Sequence, residues 1–267
     1  RAHTMNIRQP FRNGAAARRP VSLVRNQAAG EATLYIYDEI DSFLGIGARD
    51  VIAALDQLAD VQVLHLRINS PGGNVFEGQA IQQAIRRFAG KTIAHIDALA
   101  ASTASSIALA ADEVEISDNA FIMIHNASSM VWGDKKAMRE TADLLELIEG
   151  SIVQGYVDKT GKATDQVTAW MDAETWFTAA EAVAQGFADR VAAIPAKGST
   201  SNTWNLAGVF KNAPAQIADP DPVVHTPAPV VVDLTVSNDY AGRLAALGEL
   251  DLRQLAASRM APADPVV

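Results

Sequence analysis

The stretch INSPGG at Ile68–Gly73 decides the fold, because it joins a predicted strand to a predicted helix. Val61–Ile68 before it is rich in β-formers, and Glu77–Phe88 after it carries apolar residues at helical spacing. Its two glycines permit positive φ and uncover backbone N–H groups, which can bind an anion or an oxyanion. An ordinary turn is the alternative. Pro71 is the only proline between residues 31 and 194, which favours a functional turn.

Strands and helices alternate outward from this turn. We predict further strands at Thr33–Tyr37, Thr92–Ile96, Val114–Ile116 and Phe121–Ile124, and helices at Ala48–Leu58, Ser102–Ala111 and Asp134 to about Tyr156. This alternation predicts an α/β domain with a largely parallel sheet and right-handed crossovers. In such sheets, the functional residues collect where strands end and helices begin.

Charge and proline content divide the chain. Residues 1–30 hold six arginines and no acid, so the other residues sum to −15 within a net charge of −9. Eight of the eleven prolines lie at or beyond Pro195. We therefore predict a basic flexible arm at 1–30, a packed domain at 31–194, a Pro-rich linker at 195–232, and a tail with a short helix at 233–267.

Composition excludes several kinds of site. The absence of cysteine excludes disulfides, thiolate metal sites and a cysteine nucleophile. No apolar run approaches the roughly 20 residues that span a bilayer, so we expect no membrane association. The five histidines are not closely spaced, so we expect no metal site and no cofactor; they are His3, His65, His95, His125 and His225.

Two further motifs follow the glycine turn. Ser102 begins a small-residue helix, where the helix dipole favours an alkoxide or an oxyanion, although a capping serine is the simpler alternative. His125 directly follows an apolar strand, a rigid position for a general base, whereas His65 and His95 lie within strands as structural histidines do. From Gly73 the intervals are 29 and 23 residues, and this order favours one shared site.

Together these motifs resemble the proteolytic subunit of the Clp protease, a self-compartmentalising serine peptidase. The matching stretches are INSPGG at Ile68–Gly73, AAS at Ala100–Ser102, MIH at Met123–His125 and FTAAEAVAQGFAD at Phe177–Asp189. The resemblance covers about residues 31–192 and implies a crotonase-like βαβ spiral with a protruding handle helix, flanked here by disordered tails.

TLYIYDEID at Thr33–Asp41 and the ETWFTAAEA variant are most similar to the phage and prophage branch of this family. Members of that branch are Clp-related head maturation proteases. The resemblance therefore implies an endopeptidase that processes capsid or scaffold proteins at the prohead, in the host cytoplasm.

By position, the resemblance implies roles for five residues. Ser102 corresponds to the nucleophile and His125 to the general base. The backbone N–H groups of Gly73 and Thr103 correspond to the oxyanion hole. Gly72 and Gly73 would also pair with an extended substrate through main-chain hydrogen bonds.

The third member of the triad departs from the family pattern. Counting back from Phe177 places Thr175 where the family has aspartate, with Asp172 and Glu174 as the nearest acids. A carboxylate there would fix the histidine tautomer and stabilise the imidazolium. Three candidates for the third position stay open: Glu174 after a one-residue shift, Asp172 from a longer loop, and Thr175 through a neutral hydrogen bond. Both acids could also be plain surface residues.

The resemblance also implies a homo-oligomer of heptameric rings stacked in pairs through the handle helix. Ala127–Gly133 would order the site on ring contact, with Met130, Val131 and Trp132 as either interface or core. Nothing before residue 31 resembles the axial loops that engage an unfoldase, so we expect no ATPase partner. We expect polypeptide substrates and no nucleic acid, although the basic arm could bind one.

Three other functions compete with this interpretation. An inactive ring-forming scaffold or capsid assembly protein is consistent with the missing aspartate. A crotonase-like acyl-CoA enzyme would also use paired oxyanion N–H groups, but the charge pattern shows no site for an adenine nucleotide. A signal-peptide peptidase relative would need a membrane anchor and a lysine base.

Overall fold

The computed structural model describes residues 21–26, 29–43, 45–192, 206 and 209–214. Most of the predicted basic arm, most of the Pro-rich linker and the whole tail with its predicted helix lie outside the described residues. Among the helices that are described, none combines the length and the apolar character needed to cross a bilayer.

Eight strands and six helices are described. The strands are β1 (Ser22–Asn26), β2 (Glu31–Ile36), β3 (Val63–Ser70), β4 (Lys91–Ala101), β5 (Glu113–Ser117), β6 (Phe121–Ile124), β7 (Thr175–Thr178) and β8 (Arg190–Ala192). The helices are α1 (Ala48–Leu55), α2 (Val75–Arg86), α3 (Thr103–Ala108), α4 (Lys135–Thr160), α5 (Thr164–Asp172) and α6 (Ala179–Gln185). The alternation predicted from the sequence is confirmed.

The strands form one sheet in the order β1-β2-β3-β4-β5-β8, and β6 joins it through β4 and β7. All pairings are parallel except β1 with β2 and β6 with β7. Alternate residues of β3 enter the core, for example Leu64, Leu66 and Ile68, which pack in one cluster with the buried faces of α1–α3. The intervening His65 and Arg67 lie on the opposite, half-buried face.

The long helix α4 stands largely clear of the core. Its first turn is capped by the Asp134 carboxylate, which accepts from the backbone N–H groups of Lys136 and Ala137. Within α4 only Val153 and Tyr156, near its C-terminal end, are buried. The rest of the helix projects from the domain, as the handle assignment predicts.

Immediately before α4, Met130 and Trp132 are exposed, Trp132 at 95%. The alternative that this segment belongs to the core of the chain is therefore wrong.

Two segments that the sequence placed outside the domain pack on it. Ser22–Asn26, assigned to the flexible arm, pairs antiparallel with β2, and Arg25 forms an ion pair with Asp60. Leu206 and Phe210, assigned to the linker, are buried. The predicted boundaries of the arm and of the linker rest on charge and proline content. These properties cannot reveal a short apolar stretch that packs against a distant part of the chain.

Candidate active site

Ser102 lies at a strained turn between β4 and α3. Its φ is 52°, and Glu174 is the only other non-glycine residue with positive φ in the described part of the chain. Such a conformation costs on the order of 1–3 kcal/mol and persists only where the surroundings enforce it. Here the backbone N–H of Ser102 donates to the Met123 carbonyl at 2.8 Å, which ties the turn to the neighbouring strand.

His125 meets Ser102 because β4 and β6 end side by side. The two strands are parallel, with Ala101 opposite Met123, so the residues that follow both strands emerge at one edge of the sheet. Nε2 of His125 lies 2.8 Å from Oγ of Ser102. This contact brings together the two residues that the sequence selected as nucleophile and base.

The environment of His125 keeps its imidazole neutral. Burial lowers the pKa of His125 from its ordinary value near 6.5, and the negative charge of Glu174 partly offsets this by raising it. A neutral imidazole at pH 7 can accept the Ser102 hydroxyl proton, as a general base must.

The glycine turn fits tightly against the serine. A Cβ added to Gly72 would lie 2.6 Å from the Ala101 carbonyl oxygen, and one added to Gly73 would lie 2.3 Å from the Ile40 oxygen. Gly72 and Gly73 have φ of 91° and 144°. No other residue type satisfies both the φ values and the space, so the glycines are required for this close approach.

Two backbone N–H groups beside Ser102 are uncommitted. Neither Gly73 nor Thr103, the first residue of α3, donates its backbone N–H to an acceptor within the described ranges. The Thr103 hydroxyl donates to the Gly73 carbonyl at 3.1 Å, which couples the glycine turn to the start of the helix. Two free donors next to a nucleophile can stabilise an oxyanion. Along the turn, Gly73 pairs with Ile40 in a parallel bridge.

Asp172 and Thr175 are engaged away from the histidine. The Asp172 carboxylate accepts from the Asn126 side-chain amide at 2.7 Å. The Thr175 hydroxyl donates to the Trp170 carbonyl at 2.7 Å.

Glu174 directly precedes β7, and His125 directly follows β6. The antiparallel register of β6 and β7 pairs Ile124 with Thr175, so the next residues outward are His125 and Glu174. Of the three candidates for the third position, it is the one whose charge acts on the pKa of His125. Its carboxylate accepts from the backbone N–H groups of Lys211 and Asn212 at 3.0 and 2.6 Å.

The sequence interpretation missed Phe210. Its ring meets the His125 imidazole edge-on, with 5.4 Å between the centroids and 88° between the planes. The signal that could have revealed it is the spacing of Leu206, Val209 and Phe210, which is that of a buried face in an otherwise polar segment.

A cavity of about 310 Å³ opens beside Ser102 and His125, between α2, α3 and α4. Its apolar lining includes Val75, Leu109 and Ile152, and its polar lining includes Gln79, Gln82 and Arg86. Among the described residues, no cluster of three or more histidine or acidic side chains is arranged to hold a metal ion.

Comparisons with known proteins relate the chain to one family. The Clp protease family model matches residues 18–195. The chain is 31% identical over 188 residues to the ATP-dependent Clp protease proteolytic subunit of Gossypium hirsutum, covering 68% of this chain and 95% of that one. It is 30% identical over 143 residues to proteolytic subunit 1 of Leifsonia xyli subsp. xyli, covering 53% and 71%.

Among solved structures, a mutant of ClpP1 from Listeria monocytogenes has the same fold. The TM-score is 0.54 at 24% identity, covering 60% of this chain and 90% of that one.

Proposed function

Since the chain belongs to the Clp protease family, whose members are serine peptidases, we propose that it is an endopeptidase with Ser102 as nucleophile and His125 as general base. The observation that carries the proposal is the 2.8 Å contact between Ser102 Oγ and His125 Nε2, at a turn of positive φ that borders the cavity. No cofactor takes part in the proposed reaction.

In the proposed mechanism, Ser102 attacks the scissile carbonyl while its proton passes to Nε2 of His125. The resulting oxyanion accepts hydrogen bonds from the N–H groups of Gly73 and Thr103. His125 then protonates the leaving amine, and a water molecule activated by the same imidazole hydrolyses the acyl-enzyme. The cavity beside Ser102 is placed to receive a substrate side chain.

We assign the third position to Glu174. Two observations support this assignment: Glu174 and His125 are the residues next to the Thr175–Ile124 pair, and the charge of Glu174 raises the pKa of the imidazole, which is the effect that stabilises an imidazolium. The hydrogen bonds of Asp172 and Thr175 serve other groups.

A fluorophosphonate probe tests the nucleophile directly. We expect a covalent adduct at Ser102, located by mass spectrometry, that is lost in His125→Ala and kept in Ser117→Ala, a control serine in β5 away from the site. Absence of labelling in the assembled protein would contradict a peptidase and favour the ring-forming scaffold. Labelling without peptide hydrolysis, together with acyl-CoA turnover, would favour a crotonase-like enzyme.

We propose that α4 and residues 127–133 join copies of the chain into stacked rings, heptameric as the family resemblance implies. The support is the apolar surface of this region: Trp132 and, on α4, Leu147 are exposed at 95% and 75%. Leu147→Asp should reduce the mass measured by light scattering, whereas Glu146→Gln beside it should not. An unchanged mass in Leu147→Asp would contradict an interface here.

We also propose that the substrates are capsid or scaffold proteins at a prohead in a host cytoplasm, cleaved without an unfoldase ATPase. This rests on the similarity of Thr33–Asp41 and ETWFTAAEA to the phage branch. Co-expression with candidate capsid and scaffold proteins should give fragments that are absent with Ser102→Ala. Robust ATP-dependent degradation with a bacterial unfoldase would contradict the proposal.

A further inference from the structure

Leu206 and residues 209–214, which we call the strap, pack against the site although they lie beyond the family match at 18–195. Leu206 and Phe210 are 0% and 4% exposed. They form a small second core with residues at the ends of the two strands that carry Ser102 and His125; these residues are Leu99, Ala101 and Met123.

The strap contacts the same imidazole that faces the nucleophile. Nε2 of His125 faces Ser102, while the Phe210 ring meets the imidazole edge-on at 5.4 Å. Phe210 is itself held edge-on against Trp176 in β7, with 5.7 Å between the centroids. Aromatic contacts prefer particular geometries such as this edge-to-face one, so the contact restricts the orientation of the imidazole.

The strap also holds Glu174. Consecutive backbone N–H groups, of Lys211 and Asn212, donate to its two carboxylate oxygens, and the Asn212 side chain donates to the Ala173 carbonyl at 2.8 Å. Glu174 has a φ of 50°, which is unfavourable for a residue other than glycine. The bonds from the strap therefore fix a carboxylate whose backbone conformation is strained.

We propose that the strap is a positioning segment for the histidine: Phe210 orients the ring, and the N–H groups of Lys211 and Asn212 fix the carboxylate opposite it. This rests on the peptidase function proposed above. The strap is not a plug, because the cavity beside Ser102 is lined from α2, α3, α4 and residues 125–127. A segment of the same chain, beyond the residues that match the family model, thus helps to order the active site.

The pH dependence of labelling distinguishes a positioning role of Phe210 from a role in packing alone. Phe210→Ala admits water to the imidazole, which removes part of the burial that lowers the pKa of His125. Among the charged groups on the elements that pack near His125, Glu174 raises that pKa, and Arg86 lines the same cavity as the imidazole. The Asp172 carboxylate is held by Asn126, and Lys211 of the strap is exposed. The pKa therefore rises toward its ordinary value, and the acidic limb of the labelling rate moves to higher pH.

The experiment measures the rate of fluorophosphonate labelling at Ser102 against pH in the full chain. Phe210→Ala should slow labelling at pH 7 by about 10- to 100-fold, the cost of a misplaced catalytic group, and shift the acidic limb upward. Phe210→Leu, which keeps an apolar cover, should restore the limb. Arg49→Ala is the control, because it removes an exposed basic side chain of α1 outside the site and should label at the wild-type rate. Lys211→Pro removes the N–H that donates to Glu174 and should slow labelling.

An NMR titration of the His125 ring protons, in Ser102→Ala chains with and without Phe210→Ala, gives a readout that needs no activity. Wild-type labelling rates and an unshifted titration in Phe210→Ala would overturn the inference and leave the peptidase intact. Failure of the wild type to label would refute the peptidase, and the titration would still decide whether Phe210 controls the imidazole. If Phe210→Ala does not fold, Lys211→Pro decides: a wild-type labelling rate in this variant overturns the inference.

Discussion

Replacing Glu174 by glutamine removes a charge opposite His125 while nearly preserving shape. The structure gives two routes to a rate loss. First, the neutral amide can no longer stabilise the imidazolium. Second, the carboxylate accepts hydrogen bonds from the backbone N–H groups of Lys211 and Asn212, and the NH₂ group of glutamine would face one of these donors. We expect kcat for peptide hydrolysis to fall and KM to change little, because Glu174 does not line the substrate cavity.

The size of the loss distinguishes how Glu174 acts. An opposite charge nearby raises a pKa by about 1–3 units, and each unit corresponds to about 1.4 kcal/mol, so action through charge alone predicts a loss of about 10- to 10³-fold. A direct bond to Nδ1 of His125 during the reaction predicts about 10⁴-fold. Because Glu174 raises the pKa of His125, its neutralisation should also move the acidic limb of kcat to lower pH.

The assay is steady-state hydrolysis of a fluorogenic peptide, with Asp172→Asn and Thr175→Val measured in parallel. Both control variants alter side chains whose hydrogen bonds go elsewhere, so neither should lose more than a few-fold. A Glu174→Gln enzyme within twofold of wild type, with a large loss in either control, would refute the assignment.

Three further predictions concern the same edge of the sheet. Gly73→Ala should lower the free energy of unfolding by more than about 1 kcal/mol and abolish labelling, because its Cβ meets the Ile40 oxygen at 2.3 Å; an unchanged urea midpoint would contradict this. Ser102→Gly should be about 1–3 kcal/mol more stable to urea than Ser102→Ala, because glycine relieves the positive φ and alanine does not. In the wild type, the acidic limb of kcat/KM should lie at a pH below the ordinary histidine value of about 6.5, because burial lowers the pKa of His125 and the base must be neutral; an acidic limb above pH 7 would argue against a buried base.

The central sheet and the Ser102–His125 pair could be predicted from the sequence because each depends on local patterns. Apolar runs mark β3, β4 and β6, and a functional residue follows the end of each. Parallel pairing then brings those ends to one edge whatever the detailed register. The exact length of β4 could not be predicted in this way. The strand continues to Ala101, beyond the predicted Ile96, because its second half leaves β5 and pairs with β6.

The third position could not be settled in this way, because it depends on an antiparallel register. Counting back from Phe177 selected Thr175, but β7 begins at Thr175, and a shift of one residue moves a side chain to the opposite face of a strand. The observed pairing of Ile124 with Thr175 makes His125 and Glu174 the residues next to the last pair of the ladder, which is the basis of the proposed assignment. Only the tertiary partner strand carries this information.

The strain at the site has the same non-local origin. Ser102 and Glu174 are the non-glycine residues of positive φ in the described ranges, and they flank His125 from different strands. Each is held by residues distant in sequence, Ser102 by the Met123 carbonyl and Glu174 by N–H groups of the strap. A positive φ is unfavourable for both residues, so their conformations depend on these distant contacts. The reactive geometry therefore exists only once the sheet and the strap have formed. The strap is therefore better understood as the last part of the active site than as the first part of a linker.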